Sequence, residues 1–385
     1  MSRGSRGGPG TVGVRAVLLA GIGVALALGA VARSGPALSF AAVQGHERLL
    51  GTARPVATLA ADGSIAAVST DCGKRFLEEV AWNPVRRSVV SMASPRGIAC
   101  FGASTGEGIS EQGVAGRRLA WVRFGGGNYT EMWLVTATVG RPRSTTSLTK
   151  QKVHNTDDGT GEWVGNVHGD GSLLVFNTWS LCYWEPEYMP APPCPKGVPP
   201  KTFHIFNEKL WRIVGGRRRL LVASKDELTV LSVAAGRILV QRADGSLELR
   251  RADGKLARAF PFERGQVLGA QLDASELVVL ERAPGLRWRV YDPSSGELKR
   301  TLRAPPRAMP ADVERGLLVY TVGRVAHVLR LRDGHQKTFT APAGTWQVLT
   351  QIEPVGLFYS YSVGGKGRVR FVPFNEIRFR VGRPR

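Results

Sequence analysis

Gly236-Arg237-Ile238-Leu239-Val240, Ser275-Glu276-Leu277-Val278-Val279, Arg315-Gly316-Leu317-Leu318-Val319 and Pro354-Val355-Gly356-Leu357-Phe358 are copies of one pattern, a turn followed by a short aliphatic and β-branched run. Ile238, Leu277, Leu317 and Leu357 recur at an interval of about 40 residues, the length of one four-stranded supersecondary unit. Looser copies precede them: Gly63-Ser64-Ile65-Ala66-Ala67-Val68, Arg117-Arg118-Leu119-Ala120-Trp121-Val122 and Gly171-Ser172-Leu173-Leu174-Val175-Phe176. These stand about 54 residues apart, and the excess is assigned to loops that carry the cysteines. A repeat of this size cannot bury its apolar face alone, so neighbouring copies must stack.

A second strand repeats behind each signature. Val80-Ala81-Trp82-Asn83-Pro84 matches Arg289-Val290-Tyr291-Asp292-Pro293, each running into an Asx-Pro turn, in which Pro presets φ and the Asx side chain bonds its own backbone. Leu249 to Gly254 and Leu329 to Gly334 fill the same place with Asp253-Gly254 and Asp333-Gly334, the dipeptide that most strongly marks a tight hairpin. Leu286, Trp288 and Val290 alternate with Arg287, Arg289 and Tyr291, which places the first set on one face of a strand and the second on the other. Gly and Pro interrupt the chain every few residues, which crossover helices would not tolerate.

Hairpins repeated in this way resemble a β-propeller of the broad WD40-like or TolB-like kind. The resemblance covers about residues 53–385 and is one of architecture. The His and Trp-Asp signatures of WD40 repeats are missing, so no functional residue carries over. It implies an all-β fold of seven four-stranded blades, with six or eight left open, closed radially so that no long sheet edge is exposed. Glu376 to Val381 and the segment around His46 to Leu50 are the expected partners in the closing blade.

The first residues read as an export signal: Arg3, Arg6 and Arg15, then an apolar run from Val17 to Ala32 ending in small residues. Residues 1–33 are therefore a signal peptide or an N-terminal membrane anchor, 34–52 a linker or closing strand, and 53–385 the propeller. The four cysteines form two sequence-local pairs, and an oxidising compartment favours disulfides Cys72–Cys100 and Cys182–Cys194, although three connectivities are open. The spacing lacks the clustering of a zinc site. Net charge is +21, which suggests an anionic partner. Basic residues fall on nearly every predicted strand, however, as they would on an ordinary solvated surface, and export argues against nucleic acid.

Candidates for chemistry are few. Gly102-Ala103-Ser104-Thr105-Gly106 has the spacing of a hydrolase nucleophile turn without the following helix. Asn155 to Glu162 offers oxygens at short spacing but departs from the calcium-loop pattern. Asn128-Tyr129-Thr130 has the form of a glycosylation acceptor. The histidines at 46, 154, 168, 204, 327 and 335 are dispersed, and His327 shares strand parity with Leu329 and Leu331, which buries it. The insertion from Cys182 to Cys194 is the most informative: Tyr183, Trp184, Tyr188 and Met189 on a Pro-rich loop closed by a disulfide make a preorganised binding surface. Against that stands the alternative that these side chains fold back over the blade edge.

The expected function is a secreted or anchored, monomeric binding or scaffolding module for a protein or an anionic cell-surface polymer. No catalytic group, metal or cofactor is expected. The alternative is an extracytoplasmic hydrolase or lyase acting on a glycan or peptide. Such an enzyme would gather three or more titratable side chains from different blades at one end of the channel, with perturbed pKa values.

Overall fold

In a computed structural model, residues 36–385 form one compact unit. The structure describes residues 42–43, 48–73, 76–92, 98–100, 102, 106–126, 129–154, 161–182, 194–345, 347–377 and 379. The leader, the serine of the Gly102 motif, most of the Asn155 loop, Asn128, and Tyr183, Trp184, Tyr188 and Met189 lie outside them.

Seven antiparallel blades follow one another. Blade 1 contains Val56–Asp62, Ile65–Thr70, Glu79–Asn83 and Ser88–Ser91. Blade 2 contains Gly108–Ala115, Arg118–Gly126, Tyr129–Thr138 and Arg141–His154, and blade 3 Gly161–Asp170, Leu173–Cys182, His204–Val214 and Arg217–Ser224. Blade 4 runs through Leu228–Ala234, Arg237–Arg242, Leu247–Arg251 and Leu256–Phe260. Blade 5 comprises Val267–Leu272, Leu277–Ala283, Gly285–Tyr291 and Leu298–Arg303. Blade 6 comprises Met309–Glu314, Leu317–Val322, Val325–Arg330 and Gln336–Thr340. Blade 7 joins the two ends of the unit: Val348–Glu353, Gly356–Val363 and Lys366–Pro373 are completed by Leu49–Thr52.

Each repeated signature is the second strand of a blade with the turn that leads into it, and the Asx-Pro and Asp-Gly turns join the third strand to the fourth. Asn83 Oδ1 accepts from the Arg86 amide at 2.8 Å, and Asp292 Oδ1 from Ser294 at 2.8 Å, the local bonds that favour Asx in such turns. The innermost strands contact one another in succession, and that of blade 7 meets that of blade 1, so the ring is closed.

The core is radial. Among the described residues, an apolar cluster joins every pair of adjacent blades, from Leu50, Trp82 and Phe358 between blades 7 and 1 to Leu317, Tyr359 and Val372 between blades 6 and 7. Trp82, Trp121 and Trp288 are among the largest side chains with essentially no exposure. A middle blade is therefore covered on both faces, and Gly285–Tyr291 keeps the two-face alternation read from the sequence. Trp288 and Val290 pack toward blade 6, while Tyr291, assigned to the opposite face, is buried toward blade 4.

Two expectations are corrected. Glu376 to Val381 does not supply the closing strand: Val369 pairs with Leu50, while Phe374–Glu376 is a 3₁₀ turn from which Glu376 reaches Arg48. Tying down Arg48 in this way helps seat the N-terminal strand. The extra length between Leu119 and Leu173 lies in long strands and not in a cysteine loop, for Arg141–His154 alone spans 14 residues. The outer strand of blade 2 thereby reaches the inner strand of blade 3, where Val153 pairs with Gly161.

The sulfurs of Cys72 and Cys100 are paired, as are those of Cys182 and Cys194. Both pairs lie in loops on the face opposite the turns between first and second strands. Among the described residues, no helix is long and apolar enough to cross a membrane.

Candidate functional site at the channel mouth

The central channel is lined by the innermost strands of all seven blades, with Gln112, His168, Ser232, Gln271, Asp312 and Gln351 among the lining residues. At one end, where each first strand turns into the second, carboxylates accumulate. Asp62, Asp170, Glu314 and Glu353 end the first strands of blades 1, 3, 6 and 7, and Asp273 directly follows that of blade 5. Ala115 and Ala234 hold the place in blades 2 and 4. Asp312 sits two residues below Glu314.

The reason for acids here lies in the tight hairpins. Gly63, Gly116 and Gly171 open their turns with φ of 57°, 58° and 59°, a left-handed conformation that glycine adopts without steric cost. The amide of each of these three glycines donates to a carboxylate of another blade. Gly63 N–H donates to Glu353 of blade 7 at 2.8 Å. Asp62 of blade 1 accepts from Gly116 of blade 2 and from Gly171 of blade 3, the latter at 2.8 Å. Asp170 accepts from Ala235 of blade 4 at 2.7 Å, and Asp312 from Ile352 of blade 7 at 2.9 Å. Between blades 4 and 5 the polarity reverses, and Arg237 Nη2 donates to the carbonyls of Asp273 and Ala274 at 3.0 and 2.7 Å. The mouth is thus a belt of charged groups that ties hairpins to one another across blade boundaries.

Crowding raises the proton affinity of this belt. Burial, with repulsion from Asp273 and Asp170, pushes the Glu314 carboxyl up to about 7 even though Arg315 opposes the shift. Burial and the Asp62 charge push Asp170 up. Asp312 and Glu353 are raised in the same direction, first by desolvation and then by neighbouring carboxylates. His168, facing the channel two residues before Asp170, is pushed down to about 4 by burial and is neutral at pH 7. Hydrogen bonds to backbone donors favour the ionised carboxylate and offset part of the shift.

The channel therefore gathers titratable groups from several blades with perturbed pKa values, the arrangement expected of an enzyme. Asp62, Asp170, Asp312 and Glu353 nevertheless have oxygens committed to backbone N–H groups of adjacent blades, so their positions are explained by the cohesion of the ring. Among the described residues, the one cluster with metal-ligand spacing is Cys72, Cys100 and Glu107, and its two sulfurs are already bonded to each other. His327 is half-buried and stacks on Tyr320 at 4.6 Å, while Leu329 and Leu331 beside it are buried. His204 stacks on Phe206. The predicted binding residues of the stapled loop lie outside the described residues, but the described Cys182–Cys194 link places the loop ends together on the opposite face.

Sequence reading passed over the acidic belt. Its signal was present as the acid directly before each turn, in Asp62-Gly63, Asp170-Gly171, Glu314-Arg315 and Glu353-Pro354, but adjacency across blades is not visible along the chain.

No protein-family model matches the chain, and no curated protein matches it. Among solved structures, Sqt1 of Saccharomyces cerevisiae is similar at 10% identity with a TM-score of 0.44, over 83% of this chain and 96% of that one. The WD40 β-propeller domain of Doa1 is similar at 12% identity and a TM-score of 0.46, over 83% and 93%. The computationally designed Ika8 protein is similar at 11% identity and 0.46, over 84% and 98%. The strand order and ring closure define the class: this is a seven-bladed β-propeller.

Proposed function

We propose that the protein is an exported, monomeric, non-catalytic binding or scaffolding module whose partner is acidic, either a protein or an anionic cell-surface polymer. The observation that carries this reading is the run of exposed arginines on an outer strand, Arg217-Arg218-Arg219 of blade 3, with Arg303 exposed on the outer strand of blade 5. Carboxylates of the channel mouth are used in holding hairpins together, and those of the outer turns, Asp253, Asp292 and Asp333, pair with Arg251, Lys299 and Arg330. A basic perimeter on a rigid disc steers and selects an acidic partner. Two disulfides and the export-type leader support an extracytoplasmic location. The loop from Cys182 to Cys194, with Tyr183, Trp184, Tyr188 and Met189, is where we expect a protein partner to be gripped on the face opposite the carboxylates.

Fluorescence anisotropy of the mature chain against labelled polyglutamate and labelled polylysine tests the reading. Polyglutamate should bind at about 50 mM salt and release as salt rises through a few hundred millimolar, where screening shortens to a few ångströms. Polylysine should not bind. Failure of polyglutamate and of heparin to bind at low salt would remove the case for an acidic partner.

A further inference from the structure

The outer strand of blade 3, Arg217–Ser224, is an open sheet edge. Its first four residues are all exposed; Leu220 is 46% exposed, and Val214, opposite Arg217 on the paired strand, is 48% exposed. Arg218 covers the Trp211 ring, its guanidinium 4.7 Å from the ring centre. Among the described residues Arg217 and Arg219 meet no carboxylate and no hydrogen-bond acceptor. The patch continues onto blade 4, since a Cβ on Gly254 would touch the Leu221 carbonyl and Lys255 and Leu256 are exposed at the turn that follows.

Arginine and lysine on a sheet edge ordinarily keep other strands away. That device works against neutral or basic strands and invites an acidic one. It also does not call for large apolar side chains on the same edge. An edge that combines free backbone groups, unpaired guanidinium groups and exposed aliphatic residues fits strand addition, in which main-chain hydrogen bonds give affinity and alternate side chains give specificity.

Resting on the binding-module reading above, we propose that Arg217 to Leu220 is a docking edge for an extended acidic polypeptide that adds a strand to blade 3. Its carboxylates would meet Arg217 and Arg219, and its aliphatic residues would lie along Leu220 and Leu256. A sulfated or phosphorylated polymer would meet the guanidinium groups but has no row of amides for the edge, so the peptide is favoured.

The test uses the full mature chain and a fluorescein-labelled dodecapeptide of alternating Glu and Val. The wild type should bind it, and R217E/R219E should bind about tenfold or more weakly for each ion pair lost, with the thermal midpoint unchanged. R303E on the blade 5 edge should bind as the wild type does. A peptide N-methylated at alternate amides should lose binding while polyglutamate competition stays salt-dependent. If the wild type binds no acidic probe, the binding-module reading falls. If it binds but R217E/R219E binds equally well, only the docking edge falls. If the N-methylated peptide binds undiminished, or heparin displaces the peptide and depends equally on Arg217 and Arg219, strand addition is overturned in favour of a polyanion patch.

Discussion

Glu353→Gln isolates the protonation of the channel mouth. Glu353 closes the first strand of blade 7 and accepts the Gly63 amide of blade 1. Burial and the carboxylates of Asp312, Asp62 and Glu314 raise its pKa. A carboxyl whose folded pKa lies above its unfolded value binds more protons in the native state than in the unfolded chain. Its contribution is fully present below the ordinary carboxylate range, near 4.5, and is lost as pH rises toward the folded pKa. One proton held only in the native state makes stability fall by about 1.4 kcal/mol per pH unit, so from pH 6 to pH 8 the loss is about 3 kcal/mol, set against a total of about 5–15 kcal/mol. Gln keeps the acceptor for Gly63 N–H and cannot ionise. The variant should match the wild type near pH 5 and exceed it increasingly as pH rises, its slope flatter by up to one proton. Asp312 and Glu314, raised toward neutrality, leave a residual slope between pH 5 and 7. Urea titrations at a series of pH values, followed by fluorescence of the buried Trp82, Trp121 and Trp288, read this directly. A wild type whose stability is flat or rises from pH 6 to pH 8, or an E353Q slope equal to the wild-type one, would refute the reasoning.

Asn177 clamps blade 3 to blade 4: its Oδ1 accepts from Val230 N–H at 3.2 Å and its Nδ2 donates to the Leu228 carbonyl at 3.0 Å. Asn177→Ala leaves both backbone groups buried without partners and should cost about 2–4 kcal/mol in urea titrations; a loss below 0.5 kcal/mol would show that the blades are held without it. Glu79 is 1% exposed, and neither of its oxygens meets a donor among the described residues. Burial raises its pKa well above the usual range, so Glu79→Leu should stabilise the protein at pH 7, by about 1–3 kcal/mol, and less at pH 5; destabilisation at pH 7 would mean that the carboxyl has a partner.

Much of the ring was legible in the chain because hairpin chemistry is local. The aliphatic runs beginning at Ile65, Leu119, Leu173, Ile238, Leu277, Leu317 and Leu357 each sit in the second strand of a blade, and the turns at Asn83, Asp253, Asp292 and Asp333 close the third strand onto the fourth. Seven such runs suggested seven blades with six or eight left open, and only the closed ring of inner strands fixed the number. Less legible was anything requiring two faces of burial. Alternation puts Tyr291 on the face opposite Trp288, and only the neighbouring blade shows that this face is buried there as well.

The amino-acid sequence by itself determined that this protein is made of repeated β-hairpins with a basic surplus, because turn geometry and alternation act over a few residues. Tertiary structure alone decided where the charges went. Ring closure brings Glu353 to Gly63, and Asp62 to Gly116 and Gly171, across long stretches of chain. The same closure leaves Arg217 to Leu220 at the perimeter. The physical reason is that tight turns expose unpaired amides at the axis, and the acceptor nearest to each belongs to another blade.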